Sequence, residues 1–369
     1  MNQSDTNRTD MNRSDTVGLG MYRTADGVAP ALVVGGARKR IFDLRKAAAA
    51  IATRTRRGDL DRLTDARDLV DIFERTTELE ILGEIASRVD QLPDDAEIRP
   101  SGASGDEALA CPIRPRQVYC VGMNIAQLFV PGKITGKMPL IREAPYAAPM
   151  WWMKAASAVV GPNDNIVHPG EWHTRRLIPE PELGLIVGRP MGPGIASPKA
   201  AQALDYVAGY CVFNDVSALD IEFERGGDPF AFNMAWSKSY PSFAPLGPVV
   251  TLRFGIDPMN LSVGMRINGA QKVKENTSLY LWSAQELIEH FAAVTNLMPG
   301  DIIACGNLTG EHRIVPGDLV EIEIEALGRL ANRVVPTAQE VRYAVPEKVS
   351  DYARRFSQTV ASASAAATG

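Results

Sequence analysis

The chain is poor in cysteine: 369 residues carry four, Cys111, Cys120, Cys211 and Cys305, with no C-x-x-C pair. That spacing excludes a disulfide framework and a zinc-ribbon pattern. Three of the four lie in or beside apolar strand-like runs and read as reduced core residues. No run approaches the roughly 20 apolar residues of a membrane-spanning helix. The N-terminus is polar and lacks the apolar segment of a secretory signal. A basic face is missing too, since net charge is −5 and the pI is about 5.6. Binding to a phosphate backbone is therefore not expected. Arg54, Arg56 and Arg57 are diluted at once by Asp59 and Asp61 and read as a solvated helix surface. No glycine-rich loop follows a strand, so no nucleotide or other organic cofactor is expected. The four histidines (168, 173, 290 and 312) have no metal-ligand spacing to one another. The expected location is the cytoplasm, with no nucleic-acid or membrane partner.

What remains is ordinary globular material, 45% hydrophobic and 22% charged, long enough for about two domains. The opening MNQSDTNRTDMNRSDT repeats Met-Asn-x-Ser-Asp-Thr imperfectly and is too polar to bury, so residues 1–16 are expected to be disordered. Residues 346–369 form a low-complexity tail. Between them, residues 17–105 read as a small N-terminal α/β domain. Short strands with a hairpin signal at Gly35-Gly36 lead into helical periodicity from Leu44 to about Leu92, then a linker rich in Pro, Gly and acids. Residues 106–345 form a larger, β-rich domain. Its runs QVYCVGM, ELGLIVG, VAGYCVFND, PLGPVVTL, LSVGMRI, DIIACG and LVEIEIEAL are strand-like. Asn268-Gly269 marks a hairpin, and Pro-Gly-Asp turns at 299–301 and 316–318 each precede a strand. Helices are expected to start at Ser197-Pro198 and at Ser283, where Glu286 completes a capping box. The fold class is α+β and β-rich.

One stretch carries chemistry. Residues 178–188 read IPEPELGLIVG: a strand apolar enough to be buried on both faces, with Glu180 and Glu182 at its mouth. Side chains at i and i+2 of a strand point the same way. The two carboxylates are thus pushed together at the edge of a core, at a high desolvation cost unless a cation neutralises them. Asp215 ends another apolar run, in FNDVSALD. Three carboxylates are an all-oxygen set that suits Mg²⁺, Mn²⁺ or Ca²⁺. Lys238 and Lys154 supply nearby cations in WSKSYPSF and WWMKAASAVVGP. Taken alone, Glu-x-Glu at a strand start is usually a solvated edge, the lysines are counter-ions, and Trp151-Trp152 are core or interface.

The order of the motifs is more specific than any one of them. VYCVGMN, WWMKAASAVVGPNDNIVHPG, EPELGLIVG, AGYCVFNDVSALD, WSKSYPSFAPLGPVV, RINGAQKVKENTS, LMPGDIIACGNLTG and VPGDLVEIEIEALGRLANRVV follow one another over roughly residues 112–336. This series resembles the fumarylacetoacetate hydrolase superfamily. The resemblance implies a mixed β-sandwich roll, assembled as a homodimer. It also implies a divalent metal on Glu180, Glu182 and Asp215, a catalytic Lys238, and substrate contacts from Lys154, Asn124, Asn307 and Thr309. The expected partner is a small 2-oxo acid.

The chain departs from the hydrolytic pattern at two places. The Asn-Tyr-x-x-His segment of hydrolytic members reads Asn124-Ile125-Ala126-Gln127-Leu128, and leucine takes no proton. The arginine that pairs with an anionic substrate is Leu219. The expected function is therefore enolisation of a 2-oxo acid followed by isomerisation, dehydration or decarboxylation. A C–C hydrolase of β-diketo acids and a metal-binding pseudoenzyme are the alternatives. Arg142, Glu143, His173 and Glu222 are the candidate replacement acid–base groups.

Overall fold

The computed structural model describes residues 16–342 apart from 26, 36–38, 77, 99–107, 123, 126–147, 224–233 and 309, together with 355 and 358. The N-terminal hairpin comes from two apolar runs, β1 (Val17–Thr24) and β2 (Gly27–Val34), paired from Val17↔Val34 to Thr24↔Gly27. β3 (Arg40–Asp43) pairs antiparallel with β2, and Gly36 of the expected Gly35-Gly36 hairpin signal lies outside the described residues. Asp43 then caps α1 (Leu44–Thr55), accepting from the amides of Arg45 and Lys46, and Arg56 ends the helix in a left-handed conformation. Two shorter helices, α2 (Leu69–Arg75) and α3 (Glu80–Ser87), follow where helical periodicity was expected. Glu97 and Ile98 of the expected linker form β4 against β3. β5 (Leu109–Ala110) lies on β1.

β6 (Val118–Gly122) and β7 (Met150–Lys154) pair antiparallel, followed by β8 (Val159–Val160), β9 (Ile166–His168) and β10 (Leu177–Ile178). β11 (Pro181–Val187) is buried along its whole length, as a central strand must be when both faces are covered. A short helix, α4 (Ala200–Ala203), begins two residues later than Ser197-Pro198, because Lys199 is still extended and serves as its cap. β12 (Val207–Asn214), β13 (Ser217–Ala218), α5 (Leu219–Phe223) and α6 (Met234–Lys238) come next, then β14 (Ala244–Leu252). The hairpin of β15 (Ser262–Ile267) and β16 (Ala270–Asn276) turns on Asn268 and Gly269, both at positive φ as a tight hairpin requires. α7 (Ala284–Val294) has the expected capping box between Ser283 and Glu286. β17 (Ile302–Ala304), β18 (Leu319–Ile324) and β19 (Gly328–Pro336) are the last strands among the described residues, the first two directly after the Pro-Gly-Asp turns.

Two sheets dominate. The larger runs β4-β3-β2-β1-β14-β12-β11-β17-β6-β7, so the N-terminal hairpin and the central strands share one sheet through β1 on β14. The smaller runs β16-β15-β18-β19-β9. It packs on the larger through β14 against β19 and β12 against β18 and β19. The fold is thus α+β and strand-rich. Cys120, Cys211 and Cys305 are buried in it, and all four cysteines are free thiols.

Candidate active site

The ends of β11 and β12 create the site. Across them, Glu180 N–H donates to Asn214 Oδ1 at 3.0 Å, and Asp215 N–H donates to Glu180 O at 2.9 Å. These two bonds pin the carboxylate at the entrance of one strand beside the carboxylate at the exit of its neighbour. Glu182 is two residues further into β11. Its Oε2 accepts the Gly306 amide hydrogen at 2.8 Å. One ligand oxygen from each of Glu180, Glu182 and Asp215 lies within 4.8 Å of the others. Glu182 and Asp215 are buried, whereas Glu180 keeps 12% of its side chain exposed and so marks the mouth.

Two lysines enter this acidic core. Lys238, the last residue of α6, places Nζ 2.6 Å from Glu180 Oε2 and 2.9 Å from Asp215 Oδ2. It also donates to Ser217 Oγ, and its ammonium sits over the Trp152 ring at 5.1 Å. Lys154 ends β7 and pairs with Asp215 Oδ1. Its ammonium also donates to Val216 O at 3.1 Å and Phe243 O at 2.5 Å.

Protonation follows from this packing. Burial pushes Glu180 up to about 7, against the opposing pull of Lys238, with Asp215 and Glu222 adding to the rise. Burial raises Glu182 well above the usual carboxylate range, reinforced by Asp215 and Glu180. Burial would raise Asp215 as well, but Lys154 and Lys238 outweigh it and hold the group below its ordinary value. Burial alone would lower Lys238, yet Asp215, Glu180 and Glu222 hold it charged, well above the usual lysine value.

The donor set fits a hard divalent cation. All three candidate ligands are carboxylate oxygens, the chemistry that Mg²⁺, Mn²⁺ and Ca²⁺ prefer. Formal charge agrees. Four buried carboxylates, Glu180, Glu182, Asp215 and Glu222, face two ammonium groups. With all four ionised, as a bound cation would hold them, the excess of two negative charges equals the charge of one such ion.

The other residues named from sequence are placed differently. Asn124 is buried and its amide is spent on backbone: it donates to Cys305 O at 2.7 Å and Trp282 O at 3.1 Å, and accepts from Trp282 N–H at 2.7 Å. It thereby holds the 305–307 loop. Asn307 is half-buried on that loop, next to Gly306. His173 is engaged elsewhere, between Tyr240 Oη at 3.0 Å and Val341 O at 2.6 Å. Leu219 is buried. Thr309, Leu128, Arg142 and Glu143 lie outside the described residues.

Three further side chains shape the site. Ser217 Oγ donates to Glu180 Oε2 at 3.1 Å, and its place two residues after Asp215 was a usable signal. Tyr280 donates its hydroxyl hydrogen to Gly306 O at 3.0 Å and accepts from Leu183 N–H at 3.3 Å. Nothing in the local sequence marks it. Trp152, read as core or interface, presents its ring to Lys238.

Comparison with known proteins adds the lineage. The model of the fumarylacetoacetate (FAA) hydrolase C-terminal domain matches residues 117–335. An uncharacterised protein of Methanocaldococcus jannaschii is 34% identical over 230 residues, covering 62% of this chain and 87% of that one. The mitochondrial oxaloacetate tautomerase of Bos taurus is 36% identical over 235 residues, covering 62% of this chain and 69% of its own. Among solved structures, the 2-hydroxyhepta-2,4-diene-1,7-dioate isomerase from Mycobacterium marinum superposes with a TM-score of 0.60. It is 25% identical, with 88% of this chain and 100% of that chain covered.

Proposed function

This chain belongs to the fumarylacetoacetate hydrolase family, and from that premise we propose that it moves a proton on a small 2-oxo acid. The reaction class is keto–enol tautomerisation or the related isomerisation, with a divalent cation, magnesium first, held by Glu180, Glu182 and Asp215. The similar proteins from Bos taurus and Mycobacterium marinum carry the names tautomerase and isomerase, and both reactions shift a proton next to a carbonyl.

The observation that carries the reading is the position of Lys238. Its Nζ lies 2.6 Å from Glu180 and 2.9 Å from Asp215, so a proton-bearing group stands directly beside two of the three oxygen donors. When bound, the cation supplies Lewis acidity toward the carboxylate and 2-oxo oxygens of the substrate. Lys238 enters the reaction as an ammonium, able to deliver a proton and to take one back from a neighbouring carbon or oxygen. Ser217 and the Trp152 ring restrict where that ammonium points. Lys154 and Asn124 act as anchors in this reading, the first for Asp215 and the second for the Gly306 loop. Asn307, on the same loop, is assigned a substrate contact in this reading.

Proton NMR in D₂O tests the proposal, with oxaloacetate and an acylpyruvate as substrates, Mg²⁺ or EDTA, and an enzyme-free control. The expected result is Mg²⁺-dependent deuterium exchange at C3 above the control, with no C–C cleavage. Equal rates in EDTA would sink the cation assignment. Clean cleavage to pyruvate and a carboxylic acid would make the protein a hydrolase. Metal uptake without turnover of any keto acid would favour the pseudoenzyme.

A further inference from the structure

Lys238 has a carboxylate neighbour that does not belong to the acid triad. Glu222, on α5, brings Oε1 to 3.7 Å from Lys238 Nζ. Ser237, the residue before Lys238, donates its hydroxyl hydrogen to the same oxygen at 2.9 Å. Glu222 is 6% exposed. Its short helix is tied down by Asp220, which accepts from Thr174 Oγ1 and, at 2.9 Å, from Arg175 N–H. A buried carboxylate held this firmly against a lysine is built in, although it is not one of the three candidate ligands.

Its use follows from competition. In the structure the Lys238 ammonium rests on Glu180 Oε2 and Asp215 Oδ2, the two carboxylates that a cation would also draw upon. Two positive charges sharing two carboxylates in a water-poor core repel each other strongly. Among the described residues, the other oxygens near Lys238 Nζ are Ser217 Oγ and Glu222 Oε1, and only Glu222 bears charge. Removing its charge would leave the loaded cluster one positive charge in excess. We infer that Glu222 is a positioning residue that retains the Lys238 ammonium and supplies the fourth negative charge needed for a divalent cation and Lys238 to share one site. This rests on the cation reading above. Affinity for the ion then depends on a residue that is not its ligand.

Mn²⁺ titration of the full-length protein, followed by electron paramagnetic resonance, tests this with Glu222→Gln and Glu222→Asp beside wild type. Glutamine keeps an oxygen for the Ser237 hydroxyl, so the local packing survives, and circular dichroism checks the fold. The expected result for Glu222→Gln is Mn²⁺ affinity lower by at least about tenfold, an unchanged bound-ion spectrum, and slower C3 exchange at saturating Mn²⁺. Glu222→Asp restores part of the affinity with the charge. Wild-type affinity in Glu222→Gln overturns the inference, and so does an altered bound-ion spectrum, which would make Glu222 a ligand. If wild type itself takes up no Mn²⁺, the cation site falls first and the inference with it.

Discussion

Gly306 donates its amide hydrogen to Glu182 Oε2 at 2.8 Å from a backbone φ of +109°. Glycine adopts that conformation without strain, and other residues rarely do. A Cβ added there would meet Asn124 Cβ at 2.9 Å and Val121 O at 3.1 Å. This buried carboxylate of the triad is therefore oriented by a loop in which a side chain at the key position would clash.

Gly306→Ala should lose the bond to Glu182, because the loop must shift to relieve both contacts. The expected cost is about 1–3 kcal/mol of stability, from the strained φ. Mg²⁺-dependent exchange should fall in parallel. Urea denaturation and the deuterium assay would read the two effects. An alanine variant with wild-type values in both would show that the loop adapts and that this bond is dispensable.

Tyr280→Phe separates support from chemistry. It leaves Gly306 O and Leu183 N–H without the hydroxyl partner inside the core. Stability should drop by about 1–3 kcal/mol. Turnover at saturating substrate should change far less than in Lys238→Met, which removes the proton carrier and should abolish exchange while the protein still takes up Mn²⁺. Similar turnover losses in the two variants would place the tyrosine in the chemistry.

Glu182→Gln should abolish metal-dependent exchange and leave the metal-free protein as stable as wild type or slightly more so. In the metal-free cluster burial already holds Glu182 well above the usual carboxylate range, so an amide in place of the carboxyl costs little there. Calorimetry with EDTA gives the stability and the NMR assay the activity. Full activity in this variant would remove Glu182 from the site.

The pH dependence has a definite sign. Glu180 is raised to about 7, so the folded protein holds that proton more tightly than the unfolded chain does. Its contribution is complete below the unfolded value near 4.5 and is lost as pH rises toward 7. His168, pushed below its usual range by burial and Arg313, works the opposite way in part of this window. The measurement is therefore a difference: the melting temperature of Glu180→Gln minus that of wild type, both in EDTA. It should grow between pH 4.5 and 7.5, and a flat difference would refute the assignment. Saturating Mg²⁺ should recover wild-type stability at the upper end.

The part of the site that lies along strands was legible beforehand. Glu180 and Glu182 share a face because strand side chains alternate, and the apolar run from Leu183 to Val187 requires that strand to be buried. The capping box at Ser283, the Asn268-Gly269 hairpin and the Pro-Gly-Asp turns depend on neighbours in the chain, and they formed where expected. The start of α4 missed by two residues because Ser-Pro is a permissive signal that an extended Lys199 overrides.

By itself, then, the sequence determined what short-range rules govern: element types, turns, the paired carboxylates and the hard-oxygen character of the donors. Only the tertiary structure decided which distant groups meet them. Gly306 reaches Glu182 across 124 positions of chain, Lys238 reaches Glu180 across 58, and Tyr280 closes on a loop 26 residues away. Such contacts are set by how β11, β12 and β17 stack side by side in one sheet. The same packing sets Lys154 and Asn124 against backbone carbonyls far away in the chain, since a buried donor must find an acceptor among whatever the fold brings near.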